Sequence, residues 1–284
     1  MKPTVAIVAP GAMGAAVAQR LAEHGIEVRT SLAGRSAASA ARARATGMRP
    51  VKDTALAEAD ILLSIVPPGD AVALAERLAP VLSAGQRRGL VYADCNAVSP
   101  RTAVRVGDVL SGAAAAADLC FVDAGIIGGP PKPGTRGPVF YCSGPHAARL
   151  AVLAEHGLAV KVLDGSIGAA SGLKMVYAGI TKGTTALAST MMLAATRFGA
   201  AAELRRVLAE SRPDLLALFE RSVPDMSPKA YRWVAEMEEI TDFAGADTAA
   251  QQIYQGIAQL YGRLAADWKG ERTETKQLTA FFGT

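Results

Sequence analysis

The chain has 284 residues, half of them hydrophobic, with 28 glycines, 15 prolines and a formal net charge of +4. That length admits two domains, and three cysteines, odd in number and without a C-x-x-C pair, argue against a disulfide framework or a zinc site. All of the net positive charge falls in residues 1–164 while 165–284 is neutral, and no basic-aromatic cluster accompanies it, so an anionic small molecule is expected rather than nucleic acid. No stretch reaches membrane-spanning length without charge, and the N-terminus lacks a basic segment followed by a cleavable apolar run. A cytoplasmic protein with no membrane partner is expected.

In chain order, Thr4 to Val8 is a short continuous apolar strand, the pattern of a parallel strand buried on both faces. The turn Ala9-Pro10-Gly11-Ala12-Met13-Gly14 follows, then a helix from Ala15 to His24 and a lead through Gly25 into a second strand at Val28. This is the layout of a dinucleotide-binding βαβ unit. Gly11 would let the backbone approach a pyrophosphate, Gly14 would let helix and strand pack closely, and the helix start would offer free N–H groups to the phosphates. Ala9 occupies the first glycine position of the usual fingerprint, and a plain structural turn is the competing reading.

An NAD-selective site places an acid at the end of the second strand for the ribose 2′-hydroxyl. Here Arg29 to Ser36 holds no acid, and Val28 to Lys52 carries six basic residues and no carboxylate. A guanidinium forks onto a 2′-phosphate and a hydroxyl adds a hydrogen bond. NADPH (NADP+) is therefore the expected cofactor, with Arg35 and Ser36 as its contacts. Arg42 and Arg44 are assigned to the solvated face of a helix over 36–47.

Further strands are expected over 60–66, 89–94, 119–124 and 138–142. Helices are expected from Asp70, as N-cap, to Leu82 and from about Pro100 to Leu110, and a glycine- and proline-rich loop from Gly125 to Gly137. Beyond Ser166 no strand is evident, and helices are expected over 167–198, 200–211, 213–222, 228–241 and 247–269. The fold class is α/β: a Rossmann-type doubly wound parallel sheet followed by an all-α C-terminal domain. The boundary is placed at 164/165, with 1–164 binding the nucleotide and 165–284 serving substrate and dimerisation. The first C-terminal helix, near 30 residues, would run about 45 Å. Small and apolar residues on several of its sides, such as Ala178, Ala186, Met191 and Leu193, predict a homodimer. Glu236, Glu238, Glu239 and Asp242 are expected on a solvated face, and Trp233 in packing. His24, His146 and His156 carry no expected chemistry.

Four segments in order resemble the β-hydroxyacid dehydrogenase and 6-phosphogluconate dehydrogenase superfamily, as a divergent branch: Ala9 to Gly14; Val66-Pro67-Pro68; Asp123-Ala124-Gly125-Ile126-Ile127-Gly128-Gly129; and Gly168-Ala169-Ala170-Ser171-Gly172-Leu173-Lys174. A fifth, Asp94 to Pro100, is similar to the nicotinamide-side motif, with Asn96 at its serine position. The resemblance implies that Ala9, Pro10, Gly11, Ala12, Met13, Gly14, Val66, Pro67, Pro68 and Asn96 hold the cofactor. It implies that Asn96, Ile127, Gly128, Gly129, Lys174 and Tyr177 meet a small-molecule substrate, with Lys174 as general acid/base and no metal. Lys174 falls in the second turn of the long helix, where the positive end of the dipole and partial burial disfavour an ammonium. The expected activity is NADPH-dependent hydride transfer between nicotinamide and a small polar carbonyl or hydroxyl compound. Gly125 and Ile127 replace the family's proline and serine, and Tyr177 its asparagine; these keep an imine reductase open as an alternative. The rival from another class is a non-catalytic NADPH-binding sensor.

Overall fold

The computed structural model describes residues 2–132 and 134–283. The first part alternates strand and helix: β1 (Val5–Val8), α1 (Ala12–Glu23), β2 (Val28–Ser31), α2 (Ala37–Ala45), β3 (Arg49–Val51), α3 (Asp53–Leu56), β4 (Ile61–Ser64), α4 (Ala71–Ala84), β5 (Val91–Asp94), α5 (Pro100–Val109), α6 (Ser111–Ala117), β6 (Cys120–Ile127), β7 (Val139–Ser143) and β8 (Ala159–Val162). The rest is helical: α7 (Ala169–Arg197), α8 (Ala201–Ser211), α9 (Pro213–Met226), α10 (Ala230–Phe243), α11 (Thr248–Lys269) and α12 (Thr273–Phe281).

The eight strands form one sheet in the order β3-β2-β1-β4-β5-β6-β7-β8. Every neighbouring pair is parallel except β6 and β7, which run antiparallel from Asp123 opposite Ser143 to Ile127 opposite Val139. Alternation along β1 sends Val5 and Ile7 into one core and Ala6 and Val8 into the other, one under each face. Both faces being covered explains why the central strands are continuous apolar runs. The two edge strands escaped the sequence. β3 contains Pro50, tolerated where the absent N–H costs no ladder bond; β8 is partly exposed and its apolar run is broken by Lys161.

Three other sequence expectations are corrected. Asp70 stands at the N-cap of α4 but makes no side-chain capping bond, because Pro68–Asp70 is itself a 3-10 turn. α12 was not foreseen; its Thr275 amide and hydroxyl both donate to Asp267, at 2.8 and 2.7 Å. Glu236 is not solvated: it is 6% exposed, with an ion pair to Lys182, whose ammonium also lies 5.0 Å from the Trp233 ring. Tyr261 donates to the Lys182 carbonyl at 2.6 Å and meets Trp233 edge-on. Burial, with the Glu236 charge, pushes the Tyr261 phenol well above its ordinary range.

The chain divides into two compact units that part between Met175 and Val176, inside α7. Along α7, Ala178, Ala186 and Leu193 are buried within this one chain, contrary to the expectation that they need a partner. Ile180, Leu187 and Met191, and Phe198 just beyond the helix, are exposed instead. Among the described residues no helix is long and apolar enough to cross a membrane.

The α1–β1 contact gives a direct test. A Cβ on Gly14 would stand 2.1 Å from the Ala9 carbonyl oxygen, whereas one on Gly11 would meet nothing within 4 Å. Gly14→Ala should cost about 1–3 kcal/mol or more through overpacking against backbone. Gly11→Ala should stay within about 0.5 kcal/mol. Urea denaturation of both variants checks the contrast; equal stability of the two contradicts it.

Candidate functional site

In a parallel sheet all carboxyl ends lie along one edge, and ligands bind where the strand order reverses. Here the reversal falls between β1 and β4. The segments leaving the carboxyl ends of β1, β2, β4, β5 and β6 are 9–14, 32–36, 65–68, 95–96 and 128–129. Five stretches singled out from the sequence are thus brought to one edge of the sheet.

The turn after β1 is held by backbone bonds, Ala9 N to Ile65 O at 3.0 Å and Gly11 N to Ala9 O at 2.8 Å. α1 has no side-chain cap and no acid in its first turn. Its leading N–H groups have no intrahelical partner, and Gly11 opens onto free space. This cradle fits a pyrophosphate.

At the end of β2, the Thr30 hydroxyl donates to Ile7 O at 2.7 Å. Gly34, at φ +68°, turns the chain back. Ser36 then caps α2 by accepting from Ser39 N at 3.3 Å. The six basic residues of this region divide. Arg29 is engaged by Glu27 at 2.9 Å and Glu58 at 3.0 Å, and Arg49 by Glu27 at 3.2 Å. Hydrogen bonding from Arg29, then Arg49, holds the Glu27 carboxyl below its usual range. Arg35, Arg42, Arg44 and Lys52 form no ion pair among the described residues. A concavity of about 460 Å³ lies beside this loop, lined by Ser31, Leu32, Ala33, Val51 and Lys52 among others.

Asn96 is 3% exposed. Its carbonyl accepts from Val66 N at 2.6 Å, and its amide donates to Ser64 Oγ at 2.8 Å and to Asp94. The side chain ties the loop after β4 to the loop after β5 and so orders the start of Val66, Pro67 and Pro68.

Asp123 organises the other side of the edge and was legible only as a motif letter. It lies on β6, fully buried. Oδ2 accepts from the backbone N–H groups of Gly168, Ala170 and Ser171 at 2.9, 3.1 and 3.1 Å and from Ser143 Oγ at 2.9 Å. Oδ1 accepts from Ser171 Oγ at 2.5 Å. One carboxylate thereby caps the start of α7 and joins it to β6 and β7. Gly125 permits this closeness: a Cβ there would stand 2.8 Å from Ala170 O and 3.1 Å from Lys174 Cβ. Lys174, half-buried in the second turn of α7, is set directly over Gly125. Three residues on, Tyr177 is 47% exposed.

Ile127 ends β6 half-buried. Gly128, at φ +124°, would place a Cβ 2.9 Å from Pro138 Cα, and Gly129 faces open space. The loop beyond is fastened by a residue the sequence did not flag: Arg20 of α1 donates to the carbonyls of Lys132 and Thr135 at 3.0 and 3.1 Å. Cys95, Cys120 and Cys142 are buried and unbridged. Burial, then the Asp123 charge, pushes the Cys142 thiol up to about 12; burial also raises Cys95. Among the described residues no group of histidines, cysteines and acids is placed to hold a metal.

Sheet, reversal point and glycine turn define an NAD(P)-binding fold of the dehydrogenase type. The chain belongs to the family with the NAD-binding domain of 6-phosphogluconate dehydrogenase, whose model matches residues 4–154. Residues 195–264 match a domain of unknown function, DUF1932. Among solved structures, the conserved protein MTH1747, of unknown function and described as similar to 3-hydroxyacid dehydrogenases, is 26% identical, covers 97% of this chain and 99% of its own, and has a TM-score of 0.69. The 3-hydroxyisobutyrate dehydrogenase of Mycobacterium tuberculosis is 21% identical over 94% of this chain and 95% of its own, with a TM-score of 0.73. An imine reductase from Myxococcus stipitatus is 18% identical over 99% of each chain, with a TM-score of 0.58. The fold is that of the 3-hydroxyacid dehydrogenases.

Replacing Asp123 by alanine should cost more than about 3 kcal/mol, since each buried bond to a charged acceptor contributes roughly 1.5–3 kcal/mol. Equilibrium unfolding in urea measures it. A loss below about 1 kcal/mol would show that the α7 cap is dispensable.

Proposed function

We propose that the protein is an NADPH-dependent oxidoreductase acting on a small polar carbonyl or hydroxyl compound. One observation carries the reading: the Asp123-capped start of α7 sets Lys174 over Gly125 at the carboxyl edge of the sheet that also bears the dinucleotide turn. Residues 1–164 would bind the cofactor, and 165–284 would complete the substrate site and dimerise.

The cofactor residues fit the group. The N–H groups of Ala12, Met13 and Gly14 would hold the pyrophosphate, Gly11 would admit it, and Arg35 and Ser36 would take the 2′-phosphate. Val66, Pro67 and Pro68, shaped by Asn96, line the nicotinamide side. NADPH supplies hydride from C4 of its nicotinamide when bound. Ile127, Gly128 and Gly129 seat the substrate. As the carbonyl carbon gains hydride, its oxygen takes a proton from Lys174 Nζ and the product is an alcohol; the reverse direction returns the proton to Lys174.

Imine reduction is the second reading. It is favoured by Tyr177, a largely exposed phenol three residues after Lys174, and by the apolar Ile127. A non-catalytic sensor is distinguished from both by the absence of NADPH turnover across a panel of carbonyl and imine compounds.

The proton-transfer role predicts that Lys174→Ala and Lys174→Met each lower turnover by about 10²–10⁴-fold, with NADPH affinity nearly unchanged. Stopped-flow absorbance of NADPH follows both. A comparable loss in Tyr177→Phe, with Lys174→Met close to normal, moves the acid role to the phenol and favours imine reduction.

Arg35→Ala should weaken NADPH far more than NADH, by about 1.5–3 kcal/mol. Equal weakening of both in fluorescence titrations rejects the assignment. The homodimer is proposed on the exposed Ile180, Leu187 and Met191 of α7 and Phe198 just after it, an apolar stripe of the sort obligate interfaces cover. Light scattering at micromolar concentration should return twice the 29.3 kDa chain mass; a monomer rejects it.

A further inference from the structure

Arg42 is exposed, as the sequence expects, but the structure gives its guanidinium a direction. Its Nε donates to the Pro10 carbonyl at 3.1 Å, inside the dinucleotide turn. Its Nη2 donates to Ser39 Oγ at 3.0 Å. Ser39 Oγ also accepts from Ser36 Oγ at 3.2 Å, and Ser39 N donates to Ser36 Oγ at 3.3 Å. Ser36, Ser39 and Arg42 recur every three residues and so share one side of α2. This side is fastened to the turn after β1 through Pro10.

A guanidinium carries five N–H donors. Two are used by Pro10 and Ser39. No carboxylate engages Arg42 among the described residues; Glu27 pairs with Arg29 and Arg49, Glu58 with Arg29 and Asp53 with Arg77. Arg42 is thus a cation held in place by two neutral acceptors, with donors to spare and no carboxylate among the described residues to satisfy them. It stands between the end of β2, where this fold reads the adenosine ribose, and the entry of the glycine turn.

Resting on the proposed NADPH reading, we infer that Arg42 is a second determinant of cofactor choice: its free N–H groups, with the Ser39 hydroxyl, receive the 2′-phosphate while its Nε locks Pro10. Arg35 would approach the same phosphate from the loop. Arg42 differs from Arg35 in being fixed before the ligand arrives, so less side-chain freedom is lost on binding. The pyrophosphate is the other anion within the cofactor. The N–H groups of the first turn of α1 would hold it, and it is not assigned to Arg42.

The test is direct binding. NADPH and NADH are titrated by nicotinamide fluorescence, and 2′,5′-ADP and 5′-AMP by calorimetry, against wild type, Arg42→Ala and Arg42→Lys, with thermal melts as a folding control. Arg42→Ala should weaken NADPH and 2′,5′-ADP about tenfold or more, and leave NADH and 5′-AMP within about twofold. Arg42→Lys keeps the charge but not the fork, and should lie between wild type and alanine. Equal weakening of all four ligands would reduce Arg42 to a brace for the turn and overturn the inference, as would unchanged NADPH binding. If Arg42→Ala fails to fold, the lysine variant decides: selective loss of the 2′-phosphorylated ligands supports the inference, and loss of all four overturns it. Wild type that binds neither dinucleotide defeats the cofactor reading itself, a result separable from failure at Arg42.

Discussion

The geometry of the candidate site rests on one carboxylate. Asp123 gathers three backbone N–H groups and two hydroxyls from β7 and the start of α7. The first turn of a helix leaves N–H groups without partners, and burying them unsatisfied is costly. Here a 29-residue helix begins against the sheet rather than in water, so a buried acceptor of high capacity is required. A charged one also opposes the positive end of the helix dipole. Position 123 meets that requirement, and Lys174 is located relative to β6 as a consequence.

The same constraint accounts for the departure at Gly125. Once Asp123 draws the helix down, Ala170 O lies where a side chain at position 125 would project. A glycine is the simplest solution to that approach. Gly14 solves the equivalent problem where α1 crosses β1. The two glycines are related in purpose: each sets a helix start within reach of a strand end, one beside the dinucleotide turn and one beneath Lys174.

Much of this was legible from sequence because it depends on local rules. Apolar runs marked β1, β4, β5 and β6, and the change from alternating to purely helical signals marked the C-terminal half. What escaped depends on contacts distant in sequence. β3 is three residues long and contains a proline, so nothing in its composition identifies a strand; its place comes from pairing with β2. Glu236 sits among acids that suggest a wet face, and only Lys182, 54 residues away, explains its burial. Asn96 was recognisable as a motif position, but its three partners at 64, 66 and 94 are visible only once the loops meet. Arg42 was counted with its basic neighbours because charge is read from sequence without direction.

Direction is what the structure adds to the basic segment after β2. Six cations there form a field favouring an anion, and from sequence only Arg35 is singled out among them. In the fold, two are neutralised by Glu27 and Glu58 and serve the outer strands. Arg42 is held by Pro10 and Ser39 and belongs to the turn itself. An absent acid at the end of β2 removes repulsion toward a phosphate, but that alone would select weakly. Selectivity needs donors fixed where the extra phosphate lies and left without an internal anion. The pairing of Arg29 and Arg49 with acids, and the lack of such a pair at Arg42, convert a diffuse positive patch into a directed one.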